Sequence, residues 1–83
     1  MKLLYFAWVR ENIGRSQEYL TLPQGVITLS NLADYLENKD ENYAYAFKFR
    51  NKVKVAINQN HVDWNHHITD EDEIAFFPPI TGG

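Results

Sequence analysis

The sequence predicts an α+β protein, a two-layer roll in which a mixed β-sheet packs on one main helix and an extended Gly-Gly tail ends the chain. Three observations lead to this prediction. Short apolar segments of strand length lie on both sides of one segment with helical periodicity, and a Pro-Pro pair precedes the final residues. Because a helix between strands must bury its apolar stripe against the sheet, a single two-layer domain is the simplest arrangement.

The first predicted element is a β-strand over residues 3–9, an apolar run with the sequence LLYFAWV. Both faces of this strand would be apolar, which is typical of a strand buried on both sides or of one with a face reserved for a partner. A polar loop at 11–17 would connect it, as a hairpin, to a second strand at 18–22 that ends before Pro23. The first two strands should therefore be antiparallel neighbours.

The main helix is predicted to begin after Thr28, a residue type that caps helix N-termini. Apolar residues then recur at the spacing of one helical face: Leu29, Leu32, Ala33 and Leu36. This stripe should face the core, while Asp34 and Glu37 should face water. Residues 41–47 fit one helical turn and strand alternation equally well, and we expect a short helix there.

The C-terminal half is predicted to supply the remaining strands. Residues 52–57 alternate between apolar and polar or small side chains, 61–64 form a brief strand, and 74–77 form the last strand after a polar loop at 65–73. Pro78-Pro79 cannot continue a strand, since neither nitrogen carries a hydrogen. We therefore expect a domain over residues 1–77 and an extended, flexible tail over 78–83.

Composition excludes several functional classes. A chain of 83 residues with 45% hydrophobic content builds one small core and leaves little room for a deep catalytic pocket. Its net charge of -3 argues against a nucleic-acid or membrane-surface partner. No apolar run is long enough to span a bilayer, so we expect a cytoplasmic protein. Without cysteine the chain has no disulfide and no thiol nucleophile.

Three polar clusters have structural interpretations that compete with functional ones. His66 and His67, with His61 and Asp63, could be imagined as a metal site. Adjacent histidines on a loop point in divergent directions, however, so a solvated loop is expected for His66 and His67 and no metal site is predicted. The acidic run at 70–73 is expected to be a solvated turn, although it could also help a partner grip the base of the tail. Alternating basic residues at 48–54 could balance a partner's carboxylates or protect an edge strand from pairing.

The tail carries the most specific chemical signal. Gly82 and Gly83 have no side chain, so an extended tail that ends with them can thread a narrow channel. A free carboxylate is a poor electrophile, but adenylation gives it a good leaving group that a sulfur or amine nucleophile can displace. The chain has no Gly-rich phosphate loop, so a separate enzyme would have to supply the ATP, and we expect no cofactor bound by the chain itself.

Three segments carry a resemblance to a known family: YFAWVRENIG at 5–14, AINQ at 56–59 and ITDEDEIAFFPPITGG at 68–83. They resemble the small subunits of molybdopterin synthase, ubiquitin-like β-grasp sulfur carriers of the MoaD/ThiS type. The resemblance covers the whole chain. It implies a β-grasp fold and a heterotetrameric synthase built with a large subunit.

The same resemblance implies the chemistry of the terminus. Gly83 would be adenylated by a partner activating enzyme, converted to a thiocarboxylate with sulfur from a donor such as a cysteine desulfurase system, and inserted into the large subunit. There the sulfur would pass to cyclic pyranopterin monophosphate. The catalytic side chains would belong to the large subunit, which makes this chain a sulfur-donating subunit more than an enzyme.

The resemblance also places a docking face on this chain. Phe6, Arg10 and Phe77 fall on family docking positions, although each phenylalanine could equally be a core residue. His61 stands where relatives tend to carry an apolar residue, so docking there should be more polar or pH-sensitive. The tail residues expected to enter the partner are Pro78, Pro79, Ile80 and Thr81, followed by the reacting Gly82 and Gly83.

Two alternatives to molybdopterin synthesis remain from the sequence. The chain could be a sulfur carrier or protein modifier for another pathway, such as thiazole synthesis or tRNA thiolation. It could also be a ubiquitin-like interaction module that is never conjugated, in which case loss of Gly83 would be tolerated.

Overall fold

The structure, a computed structural model, describes residues 1–79, which contain five strands and three α-helices. The elements are β1 (Lys2–Tyr5), α1 (Ala7–Ile13), β2 (Gln17–Tyr19), α2 (Leu29–Lys39), α3 (Glu41–Phe47), a 3-10 turn (Arg50–Lys52), β3 (Lys54–Ile57), β4 (Asn60–Val62) and β5 (Glu73–Phe77). The strands form one sheet in the order β2-β1-β5-β3-β4. β1 and β5 are parallel, and the other neighbours are antiparallel. The predicted α+β class, with a mixed sheet on a main helix, is confirmed.

The core lies between one face of the sheet and the helices. The strands contribute Leu3, Tyr5, Val55, Ile57, Ile74 and Phe76. The predicted stripe of α2 is fully buried against them: Leu29, Leu32, Ala33 and Leu36. Thr28 caps this helix as predicted, because its hydroxyl accepts from the Asn31 N–H while the Asn31 side chain accepts from the Thr28 N–H, both at 3.1 Å.

The short helix predicted over residues 41–47 is also confirmed. The Asp40 carboxylate accepts a hydrogen bond from the Asn42 N–H at 2.8 Å and so caps α3. Tyr43, Ala46 and Phe47 are buried along one face of the helix. The periodicity of seven residues did not distinguish a helix from a strand, and the packing of this face against the core stabilises the helix.

The strand predicted over residues 3–9 is wrong beyond Tyr5, because the chain turns into α1. Ala7 takes a positive φ of 52°, which redirects the backbone after the extended Phe6. Val9 and Ile13, one helical turn apart, then point into the core, where Val9 is fully buried. Gly14 ends α1 in the left-handed region, with φ of 90°. β1 and β2 nevertheless pair as predicted, with α1 in place of the loop.

The basic residues at 48–54 do not protect an edge strand, because β3 lies between β5 and β4. Arg50 differs from the three lysines of this stretch because its charge is paired. Its guanidinium binds Asp34 at 3.0 Å and Glu37 at 2.9 Å, and it lies over the Trp64 ring at 5.6 Å. The two carboxylates predicted to face water therefore tie α2 to the segment before β3. Lys48, Lys52 and Lys54 remain exposed.

The acidic run at 70–73 precedes β5 and the tail follows it, so the two lie at opposite ends of this strand, roughly 20 Å apart. Its aspartates organise nearby loops. Asp70 accepts from the Leu22 N–H at 2.5 Å, and Asp72 accepts from the Thr69 N–H at 2.8 Å. Within residues 1–79 no helix has both the length and the apolar character needed to cross a membrane.

A partly buried hydrogen-bond cluster joins β1, β2 and α3. The hydroxyls of Tyr5 and Tyr43 both donate to one carboxylate oxygen of Glu18, at 2.7 and 2.5 Å. Burial, reinforced by the Glu18 carboxylate, raises the pKa of both tyrosines, that of Tyr43 to about 12. The two tyrosines therefore contribute their full stabilisation below about pH 10, the pKa of tyrosine in the unfolded chain. This contribution is lost as the pH rises through their pKa values in the folded protein.

We expect Tyr43→Phe to lower the free energy of unfolding by about 1 kcal/mol at neutral pH, the contribution of one hydrogen bond. Between pH 10 and 12 the variant should lose stability less steeply than the original chain, because one of the two raised pKa values is removed. Urea unfolding at several pH values measures both effects. Tyr45→Phe, at an exposed position of the same helix, is the control. If the free energy of unfolding falls equally steeply with pH in Tyr43→Phe and in the original chain, the role of Tyr43 is contradicted.

Candidate functional site

The face of the sheet opposite the helices carries His61 and Phe77, two of the residues that the family resemblance assigned to docking. In β5, Ile74 and Phe76 point into the core, so Ala75 and Phe77 point to the other side. Strand register extends this second surface across the sheet, since Ala75 pairs with β1 on one side and β3 on the other. We call this surface the open sheet face. It includes Leu4, Lys54, Ala56, His61, Ala75 and Phe77.

Phe6 extends the open sheet face past the end of β1. Its backbone is extended, and its N–H donates to the Phe76 carbonyl at 3.0 Å. The parallel register that pairs Tyr5 with Phe76 therefore places Phe6 beside Phe77. The Phe6 side chain is 45% exposed, so a large part of its apolar surface is open to a partner.

His61 and Phe77 are in direct contact on this face. Their rings pack edge to face, with centroids 5.4 Å apart. Around them lies a surface depression of about 620 Å³, lined by Lys54, His61, Val62, Asp63, Phe77 and Pro79. His61 thus adds an exposed polar ring beside the apolar residues of this face, and Lys54 and Asp63 add a cation and a carboxylate to the same depression.

Arg10 lies one helical turn beyond Phe6, on the exposed side of α1. Its backbone N–H donates to the Phe6 carbonyl at 3.3 Å, which fixes the first turn of the helix against the end of β1. The structure therefore brings Phe6, His61 and Phe77 together and leaves Arg10 at their border. The interpretation of Phe6 as a core residue is wrong, and Phe77 is half-buried with one side on the open sheet face.

The chain leaves the sheet at the end of β5. Phe77 makes the last strand pair, with Lys54, after which Pro78 is half-buried and Pro79 is exposed. Ile80, Thr81, Gly82 and Gly83, which the sequence assigned to the partner channel and to the chemistry, lie outside the described residues. Within residues 1–79 no three His, Asp or Glu side chains are grouped so that they could hold a metal ion.

Sequence reasoning did not identify Leu4, Ala56 and Ala75 as part of this surface. The signal was present in β5, where two-residue alternation places Ala75 with Phe77 and apart from Ile74 and Phe76. The face on which Leu4 lies could not be predicted, because every residue of the run at 3–9 is apolar. Ala56 could be placed only through its register with Ala75 and His61.

Comparisons with known proteins give a consistent result. Residues 3–83 match the model of the ThiS family. The molybdopterin synthase sulfur carrier subunits of Escherichia coli K12 and Haemophilus influenzae Rd are each 36% identical to this chain over 83 residues, which cover 100% of this chain and 99% of each relative.

Solved structures agree on the fold. A putative molybdopterin converting factor subunit 1 from Pyrococcus furiosus superposes with a TM-score of 0.74 at 27% identity, over 95% of each chain. The small archaeal modifier protein SAMP1 of Haloferax volcanii also gives 0.74, at 23% identity, over 100% of this chain and 98% of that one. The fold is the ubiquitin-like β-grasp, and the chain belongs to the ThiS family.

Proposed function

We propose that this chain is the sulfur carrier subunit of a molybdopterin synthase. Its terminal residue, Gly83, carries the sulfur atom that is transferred. The observation that carries the proposal is the match, over the full chain, to two relatives that bear that description. The match extends through residue 83 and so includes both terminal glycines. The open sheet face supports it, because a carrier needs a surface on which a larger enzyme can hold it.

The proposed chemistry proceeds in two steps. The Gly83 carboxylate attacks the α-phosphorus of ATP on an activating enzyme and displaces pyrophosphate, which leaves an acyl-adenylate. A donor such as a cysteine desulfurase system supplies the sulfur as a persulfide, from which a thiol reductant releases hydrosulfide. Hydrosulfide attacks the carbonyl carbon and displaces AMP, and the product is a thiocarboxylate. The carrier offers no cysteine for either step, so the sulfur resides on the terminal carbonyl carbon.

The final transfer takes place in the large subunit. The open sheet face, with Phe6 and Arg10 at its border, docks there, while residues 78–83 enter the active site and deliver sulfur to cyclic pyranopterin monophosphate. We place these reactions in the cytoplasm. The large subunit supplies the catalytic side chains, and this chain serves as its sulfur-donating subunit.

The proposal predicts a defined change in mass. When the chain is produced together with its activating enzyme and a sulfur donor, intact-mass spectrometry should show a gain equal to the difference between one sulfur and one oxygen atom. The same preparation without ATP is the control. A fragment spectrum should place the gain on Gly83, and an unchanged mass with an active enzyme would contradict the proposal.

Other products would identify the alternative pathways. Amide bonds between Gly83 and lysines of other proteins would indicate a protein modifier. A thiocarboxylated chain that supports thiazole synthesis or tRNA thiolation, but gives no molybdopterin with a purified large subunit, would keep the carrier chemistry and reject the molybdopterin assignment.

A further inference from the structure

A second concave surface lies beside the base of the tail, separate from the open sheet face. It encloses about 770 Å³ between α1, α3 and the end of β5. We call it the aromatic groove. Its lining consists of Trp8, Asn12, Tyr45, Phe49, Lys52, Pro78 and Pro79.

The groove exposes aromatic side chains that the fold leaves without a protein partner on one side. Tyr45 is 62% exposed and Phe49 is 47% exposed. Large exposed aromatics that share one concave surface are typical of interaction sites, whereas scattered ones need no explanation. The apolar character of the groove therefore indicates a partner.

The charge of the groove restricts the chemistry of that partner. Two ammonium groups lie near the Phe49 ring: that of Lys48 is 5.7 Å and that of Lys52 is 5.6 Å from the ring centroid. Neither lysine belongs to the ion pairs of residues 1–79. Two unpaired cations beside an apolar surface favour a segment that carries carboxylates next to apolar side chains.

The position of the groove indicates which protein supplies that segment. Pro79 lines both the aromatic groove and the depression around His61, so the two surfaces flank the tail where it leaves the sheet. A channel that receives residues 80–83 must have walls on both sides of its mouth. An enzyme seated on the open sheet face alone would enclose the tail on one side only.

We infer that the aromatic groove binds an acidic, partly apolar segment of the large subunit, at the mouth of the channel that receives the tail. This inference rests on the proposed function and adds a second contact to it. Tyr45 and Phe49 act as apolar anchors for the segment, and Lys48 and Lys52 pair with its carboxylates. The groove thereby aligns the tail before sulfur transfer.

The test measures the dissociation constant between the full chain and its purified large subunit. Tyr45→Ser and Lys52→Glu should each weaken binding by about fivefold or more, since the first removes an aromatic anchor and the second reverses a complementary charge. Lys52→Gln should also reduce the dependence of the affinity on salt concentration. Tyr35→Ser and Lys39→Glu on α2 are the matched controls, as neither residue lines the groove.

The results separate the inference from the proposed function. Loss of affinity in both groove variants, with unchanged thermal unfolding and unaffected controls, supports the groove. If the original chain binds and transfers sulfur while the groove variants bind equally well, the groove inference is wrong and the carrier function stands. If the original chain neither binds the large subunit nor transfers sulfur, the proposed function fails first.

Discussion

Deletion of Gly83 should abolish sulfur transfer while the midpoint of thermal unfolding stays nearly unchanged. The deletion shortens the tail by one extended residue, about 3.3 Å, and a displacement of even ~1 Å from productive geometry costs about a hundredfold in rate. Stability should be preserved because the buried residues of the described chain end at Phe76. Transfer is measured as molybdopterin formed with purified large subunit, activating enzyme and sulfur donor.

Two further variants sharpen this test. One residue appended after Gly83 moves the carboxylate past the reacting position and should fail equally. Gly82→Val should fail as well, because a β-branched side chain cannot pass a channel that admits bare backbone. The deletion variant should retain most of its affinity for the large subunit, since its docking surfaces are intact and its shortened tail still fits the channel. Normal molybdopterin synthesis by the deletion variant would refute the carrier function and favour an interaction module.

Replacement of Phe77 or Phe6 by alanine should weaken binding to the large subunit by about 1 to 3 kcal/mol, which corresponds to roughly 5- to 150-fold in the dissociation constant. Phe77 holds His61 edge to face at 5.4 Å, so its loss also releases the histidine ring. Phe6 is 45% exposed and should be replaceable without unfolding. Calorimetric titration measures the affinity, and circular dichroism verifies the fold.

Phe76 and Tyr35 provide contrasts for these two variants. Phe76 is the fully buried neighbour of Phe77, so Phe76→Ala should cost about 3 to 5 kcal/mol of folding stability. Tyr35→Ala, on the helical side of the molecule, should leave both binding and stability unchanged. If Phe77→Ala unfolds the chain as Phe76→Ala does, Phe77 belongs to the core and its assignment to docking is wrong.

The elements with a clear local signal were predictable from the sequence. α2 has a capping residue and a four-member apolar stripe, so its start at Leu29 and its buried face followed directly. The last strand was predictable because two-residue alternation ends at a Pro-Pro pair. The run at 3–9 carried no such signal, since uniform hydrophobicity has neither the period of a helix nor that of a strand.

Some features of the candidate site were likewise predictable from the sequence, whereas others depend on the fold. The terminal glycines, the absence of cysteine and the family resemblance are properties of the sequence, and they specify the proposed chemistry of Gly83. Phe6, His61 and Phe77 could be named in advance but not brought together. Their proximity depends on β5 lying between β1 and β3, which pairs segments far apart in the chain.

The sequence by itself determined the fold class, the main helix with its cap, and the family, because periodicity, capping and motif are short-range properties of the chain. Only the tertiary structure decided that β1 stops at Tyr5, that β3 is an inner strand and that Trp8, Tyr45, Phe49 and Lys52 line one groove. Strand order and inter-helix packing arise from non-local burial, in which each segment is stabilised by partners that its own residues do not specify.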